Sequence, residues 1–134
     1  MIKSKFISDI LELLLDGDEL GLLAKRQLPY LTENKFKYTG SGLFVNFTQS
    51  AEIINYTTLP LNFVLDGVKI ETKEFPIEAN ATLFFKNGVI DLLEIWCYLG
   101  NYPNQNLTKY TLTQIWVNSP NKIRTNEDET LGIQ

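Results

Sequence analysis

The sequence predicts an α+β domain in which two N-terminal helices pack on one face of a mainly antiparallel sheet of about four to five strands. Three patterns carry this expectation. Phe6, Ile10, Leu13 and Leu14 recur at helical spacing near the start of the chain, which gathers one apolar stripe on a helix. After Glu33-Asn34 the period changes, and Phe36, Tyr38 and the run Leu43-Phe44-Val45-Asn46-Phe47 read as extended. Further on, two apolar runs flank Asn87-Gly88, the pair best suited to the two positive φ angles of a type I′ hairpin turn.

Taken in order, the first helix is expected over residues 3–15, with Lys3, Lys5, Asp9 and Glu12 off the apolar stripe and Gly17 as a C-terminal cap. Asp18 and Glu19 then place acid at the start of a second helix, Lys25 and Arg26 place base at its end, and Pro29 stops it, all in keeping with the helix dipole. Gly40 and Gly42 allow a bend or bulge between the first two strands. Residues 50–62, with Pro60, read as an irregular connection compatible with a helical turn over residues 51–54. Leu65-Asp66-Gly67 suggests a turn, after which Val68 and Ile70 alternate with Lys69 and Glu71 as in a half-buried strand.

With Asn87 and Gly88 as the central turn residues, Lys86 faces Val89, Phe85 faces Ile90, Leu83 faces Leu92, Ala81 faces Glu94 and Ala79 faces Trp96. Ile77, Leu83, Phe85, Ile90, Leu92 and Trp96 would then share the more apolar side, under the helices. Asn80, Thr82, Lys86 and Asp91 fall on the other side, among Phe84, Leu93 and Ile95. Residues 100–109 form an Asn-rich loop, and residues 110–116 add a short final strand or helical turn. The domain is expected over residues 1–118, followed by a loosely ordered polar C-terminal tail over 119–134.

Composition narrows the function classes. The chain has 134 residues, 44% of them hydrophobic, enough for one domain with its own core. It contains no histidine, which removes the commonest general base, the Ser/His and Cys/His nucleophile pairs and the usual imidazole ligands for zinc. Cys97 is the single cysteine, so no intrachain disulfide forms, and a reducing cytoplasm is the expected setting. With 12 Lys plus Arg against 16 Asp plus Glu, the net charge of −4 opposes a polyphosphate backbone, and direct nucleic-acid binding is not expected. Residues 11–15 are too short an apolar run to cross a bilayer, and no export signal is read at the start. The Asn-x-Ser/Thr sequons at Asn46, Asn55, Asn80 and Asn106 are attributed to the abundance of Asn and Thr.

No catalytic, cofactor-binding or metal-ligating residue is assigned. Asp91 and Glu94 are three apart in a strand and point to opposite faces, so they cannot form an acid and base pair across a glycosidic bond. Gly40-Ser41-Gly42 is too short for a phosphate loop and precedes a strand, and Asp66-Gly67 lacks the acidic series of a calcium loop. Cys97, between Trp96 and Tyr98, is expected to pack as a small hydrophobe. Glu94 is the unusual carboxylate: on the apolar face an unpaired charge is costly, so it needs either a structural partner such as Arg26 or Lys25, or a ligand. Tyr98, Tyr102, Tyr110 and Trp116 gather near one end of the expected sheet, where they serve equally as binding anchors or as core.

Three segments, Thr39-Gly40-Ser41-Gly42-Leu43-Phe44, Leu83-Phe84-Phe85-Lys86-Asn87-Gly88 and Leu93-Glu94-Ile95-Trp96, with Tyr102-Pro103 following, together resemble small bacterial immunity proteins of polymorphic toxin systems, including contact-dependent growth inhibition. The resemblance spans roughly residues 6–103 and brings no established functional residues with it. It implies a non-enzymatic cytoplasmic protein, without cofactor or membrane partner, that occludes the C-terminal toxic domain of a cognate toxin. An acidic inhibitor suits a basic nuclease. The contact candidates are Glu71, Glu74, Glu78, Asp91, Tyr98, Tyr102, Tyr110, Glu127, Asp128 and Glu129. The rival expectation is a small-ligand module or non-catalytic subunit with Glu94 at the mouth of a pocket between helices and sheet.

Overall fold

The computed structural model describes residues 1–127. Its order is α1 (Lys5–Leu14), α2 (Glu19–Ala24), a 3-10 segment (Lys25–Tyr30), β1 (Leu31–Tyr38), β2 (Gly42–Gln49), a second 3-10 segment (Ala51–Tyr56), β3 (Phe63–Glu71), β4 (Glu78–Lys86), β5 (Val89–Leu99), β6 (Tyr110–Gln114) and β7 (Ile123–Asn126). The α+β class and the antiparallel sheet are as expected, but the described residues form one sheet of seven strands, ordered β1-β2-β5-β4-β3-β6-β7. Polar composition masks part of this pairing: β1, expected around Phe36 and Tyr38, already begins at Leu31, directly after the 3-10 segment, and β7, an extra strand, lies within the expected tail, paired with β6 from Tyr110↔Asn126 to Thr113↔Ile123.

The helices form where their ends are satisfied. Ser4 caps α1 by accepting from the Ile7 N–H, and Glu33 on β1 accepts from the N–H groups of Lys3 and Ser4 at 2.9 and 2.8 Å, so one orphan donor of the first turn and the two N–H groups leading into it find acceptors. Asp18 caps α2 through Gly21 N–H at 2.7 Å. Gly17 is not the cap of α1; Leu15 is, in a right-handed conformation. A Cβ on Gly17 would lie 2.6 Å from Pro120 Cδ and 2.9 Å from Trp116, so the glycine is there for close packing.

One face of α1 carries Phe6, Ile10, Leu13 and Leu14 into the core, as the spacing requires, and Ile7 and Leu11 join them. The helix lies against β3, β4 and β6. The sheet answers with Leu43, Val45 and Phe47 from β2, Val68 and Ile70 from β3, Ala79, Ala81, Leu83 and Phe85 from β4, and Leu112 from β6, all buried. Burying each of the larger chains stabilises the fold by about 1.5–3 kcal/mol.

Asn87 and Gly88 both have positive φ, 55° and 80°, and the pairs Lys86↔Val89 and Phe85↔Ile90 are those expected. Beyond them the expected register is wrong. Phe84 pairs with Leu92, so Asp91 is an extra residue on β5, a bulge between Phe84 and Phe85. A single inserted residue reverses the faces of everything that follows: Leu83 pairs with Leu93, Ala81 with Ile95 and Ala79 with Cys97. Leu93, Ile95 and Cys97 are therefore in the core, while Leu92, Glu94 and Trp96 turn to the other side. A second bulge, at Gly67 with φ +111°, replaces the expected turn and lets β3 run on without a break.

A candidate partner-binding face

The helical layer covers one face of the sheet; the residues of the other face reach solvent. Its composition follows from pairing and alternation. Trp96, Asn80, Lys69 and Thr113 stand side by side across β5, β4, β3 and β6. Lys37, Phe44, Glu94, Thr82 and Asp66 form the next row, and Lys35, Asn46, Leu92, Phe84 and Val64 the one after. Trp96 is 55% exposed, Tyr98 45% and Val64 50%; Phe44, Phe84 and Leu92 are half-buried. The Trp96 and Tyr98 rings lie 6.0 Å apart.

The structure brings several expected contact residues together here. Lys69 Nζ sits 3.7 Å from Glu71 and 3.6 Å from Glu78, and the Tyr98 hydroxyl donates to Glu78 Oε1 at 3.4 Å. The charges of Glu71 and Glu78 raise the Lys69 pKa above its ordinary value, so this lysine is a fixed cation inside an acidic end of the face. Asp66 Oδ1 accepts from Asn80 Nδ2 and Thr82 Oγ1, both at 2.8 Å.

Glu94 is in the middle of this face. The sequence reading placed it on the apolar face, opposite Ala81 and within reach of Arg26 or Lys25. The Asp91 bulge turns it instead to the solvent side, opposite Thr82 on one flank and Phe44 on the other. Among the described residues it has no hydrogen bond or ion pair. It lines neither of two surface clefts. One, of about 310 Å³, is bounded by Glu71, Lys73, Lys109, Tyr110 and Glu127, and the other, of about 200 Å³, lies between Ile2, Leu11 and Leu28. A pocket between helices and sheet with Glu94 at its mouth is therefore not what the fold builds.

Other contact candidates serve the fold. Tyr102 and Tyr110 are buried, 4% and 2% exposed, and are unavailable as surface anchors. Burial raises the pKa of both hydroxyls. Glu74 braces two loops: it accepts from Thr108 N–H, Thr108 Oγ1 and Lys109 N–H at 2.8, 2.6 and 3.1 Å. Burial pushes its pKa up, and these donors outweigh that and hold it below 4.5. Asp91 occupies the bulge and is half-exposed. Glu127 borders the larger cleft, at the opposite edge of the sheet from β1, while Asp128 and Glu129 lie outside the described residues.

Sequence reasoning missed the polar groups that lock this scaffold. Asp9, read as solvent-facing, is buried and accepts from Tyr110 OH at 2.6 Å, Arg124 Nη1 at 3.0 Å and Lys5 Nζ at 3.1 Å. Burial by itself raises the Asp9 pKa, but the three donors outweigh it and hold the carboxyl below 3.8. Arg124 also reaches Glu12 at 2.8 Å, tying β7 to α1. Gln27 is fully buried, donates to Tyr56 O and Gly88 O and accepts from Ile90 N–H. Gln114 likewise donates to Leu13 O and Asp16 O at the end of α1 and accepts from Lys122 N–H. Little in the local sequence marks these residues, because apart from Lys5, one turn from Asp9, and Lys122, eight residues from Gln114, their partners are far away along the chain.

Compared with known proteins, the chain matches no family model, no curated protein and no solved structure. Among the described residues, no helix is long and apolar enough to cross a membrane, and no group of three or more His, Cys, Asp or Glu is placed to hold a metal ion.

Proposed function

We propose that this protein is a cytoplasmic immunity protein that binds the C-terminal toxic domain of a cognate bacterial toxin, of the basic nuclease class, and neutralises it by occlusion with the open face of its sheet. The observation that carries this reading is the pair Trp96 and Tyr98, exposed side by side on a rigid sheet and surrounded by Glu71, Glu78 and Glu94. Aromatic anchors supply most of the affinity at protein interfaces, and complementary charge speeds the encounter. Sequence features add to it: the small size, the net charge of −4 and the absence of histidine, together with the likeness carried by the glycine turn and the central hairpin.

Co-expression with the toxin domain encoded beside this gene tests the reading. Wild-type protein should restore growth and co-purify with the toxin domain, and the double variant W96A/Y98A should do neither while keeping its circular dichroism spectrum. Growth arrest that persists in the presence of wild-type protein would overturn it.

A further inference from the structure

We infer that the centre of the open sheet face receives an arginine side chain of the protein partner, with Glu94 as its counter-ion and Trp96 as the wall against which the guanidinium stacks. This inference rests on the reading of that face as the docking surface and adds the chemistry that the partner presents there. The argument is one of charge and hydrogen-bond complementarity. Around Glu94 the face is rich in acceptors and short of donors. Glu94 has no partner among the described residues. Asp66, one strand beyond Thr82 in the same row, accepts its two bonds on Oδ1 alone.

Of the lysines on these central strands, Lys69 stands between Glu71 and Glu78, and Lys86 lies at the hairpin end of β4, two rows beyond Thr82 with Phe84 in between. Lys35 and Lys37 lie at the β1 edge, with β2 between them and Glu94. What the centre lacks is therefore a cation with several N–H donors. Strand spacing puts the Cα atoms of Glu94 and Asp66 roughly 10 Å apart, a gap in which one side chain fits above Thr82.

The surroundings select arginine over lysine. Glu94 is flanked along β5 by Leu92 and Trp96 and across the sheet by Phe44. A guanidinium is planar, weakly hydrated and stacks on aromatic faces while bonding a carboxylate in its own plane; a compact, strongly hydrated ammonium gains less from such walls. A nucleic acid would meet Glu71, Glu78, Glu94 and Asp66 with like charge.

The test uses the full-length protein in two arms. In the first, ¹H–¹⁵N spectra are recorded during titration with tetra-arginine amide or its neutral isostere tetra-citrulline amide. Tetra-arginine should shift the Trp96 indole N–H and the Glu94 amide saturably, and E94Q should weaken the response at least tenfold, with the remaining resonances in place to show that it is folded. Equal responses to the two peptides, shifts confined to residues away from Glu94, or an unchanged titration of E94Q would overturn the inference. So would concentration-dependent dimerisation abolished by W96A, which would put a second copy on this face. In the second arm, E94Q is co-expressed with the toxin domain. Growth protected by wild type and lost with E94Q supports the arginine site; full protection by E94Q removes that site and leaves the immunity reading standing. A Glu94-dependent tetra-arginine response in a protein that protects against no toxin supports the site and removes the immunity reading.

Discussion

Single side chains decide how firmly this scaffold is held, and the decisive ones are polar. Gln27 uses both amide hydrogens and its carbonyl on backbone groups of the Tyr56 region and the hairpin tip. Replacing it with leucine would take the acceptor from Ile90 N–H and the amide donor from Tyr56 O, while Gly88 O keeps the Thr58 N–H at 2.9 Å. Each such orphan costs about 1–3 kcal/mol, and Q27L should lose about 3 kcal/mol in urea unfolding, with an unchanged slope. Asp9 gives the molecule a pH dependence with a definite sign. Its folded pKa lies below the ordinary 3.8, so the native state binds fewer protons than the unfolded state in acid. The stability it contributes is complete well above pH 3.8 and is lost as the pH falls through the folded value. D9N should cost about 2–3 kcal/mol at pH 7, because Arg124 retains Glu12, and the gap between the two proteins should narrow below about pH 4 when thermal unfolding is followed from pH 7 to pH 2.

At the scale of elements, close backbone approach explains Gly42 better than flexibility does. A Cβ on Gly42 would lie 1.9 Å from Ile95 O, so β2 could not keep its place on β5. G42A should therefore destabilise by about 3 kcal/mol, at the upper end of overpacking effects, and hydrogen exchange should accelerate at the β2 amides first. The hairpin was readable as far as its turn: Asn87-Gly88 specify type I′, and the two pairs beside it follow. Asp91 was not readable as a bulge, yet Glu94 carried the warning. A charge placed on the apolar side by the expected register is relieved by a shift of one residue, and the same shift puts Leu93, Ile95 and Cys97 together in the core. The cost of burying an unpaired carboxylate outweighs that of one inserted residue.

For the molecule as a whole, the C-terminal strand is part of the domain. Residues 1–118 looked like a complete domain because residues 119–127 are polar, but Arg124 on β7 neutralises the buried Asp9 on α1, and Lys122 N–H completes Gln114. A chain ended at residue 118 keeps its apolar core and loses those partners. Its stability should fall by about 3 kcal/mol or more, lowering the melting temperature by roughly 10 °C relative to the full chain. An unchanged melting curve would show that β7 adds nothing to the fold. The same assembly makes the two faces of the sheet unlike: helix and core on one side, Trp96, Tyr98 and the carboxylates on the other.

Periodicity, capping residues and turn chemistry act between neighbours in the chain, and so α1, the start of α2 at its Asp18 cap, the type I′ hairpin and the α+β class were already determined by the sequence; the end of α2 was not, since it stops at Ala24 and Lys25, Arg26 and Pro29 lie in the 3-10 segment that follows. The absence of histidine and the single cysteine limited the chemistry in the same direct way. Only the tertiary structure decided which face Glu94 and Trp96 occupy, that Tyr102 and Tyr110 belong to the core, and that Asp9 pairs with Arg124 from the far end of the chain. Those outcomes depend on strand register and on contacts between distant residues, where one inserted residue or one buried charge changes the energy of the whole sheet at once, and the order of neighbouring amino acids does not fix the result.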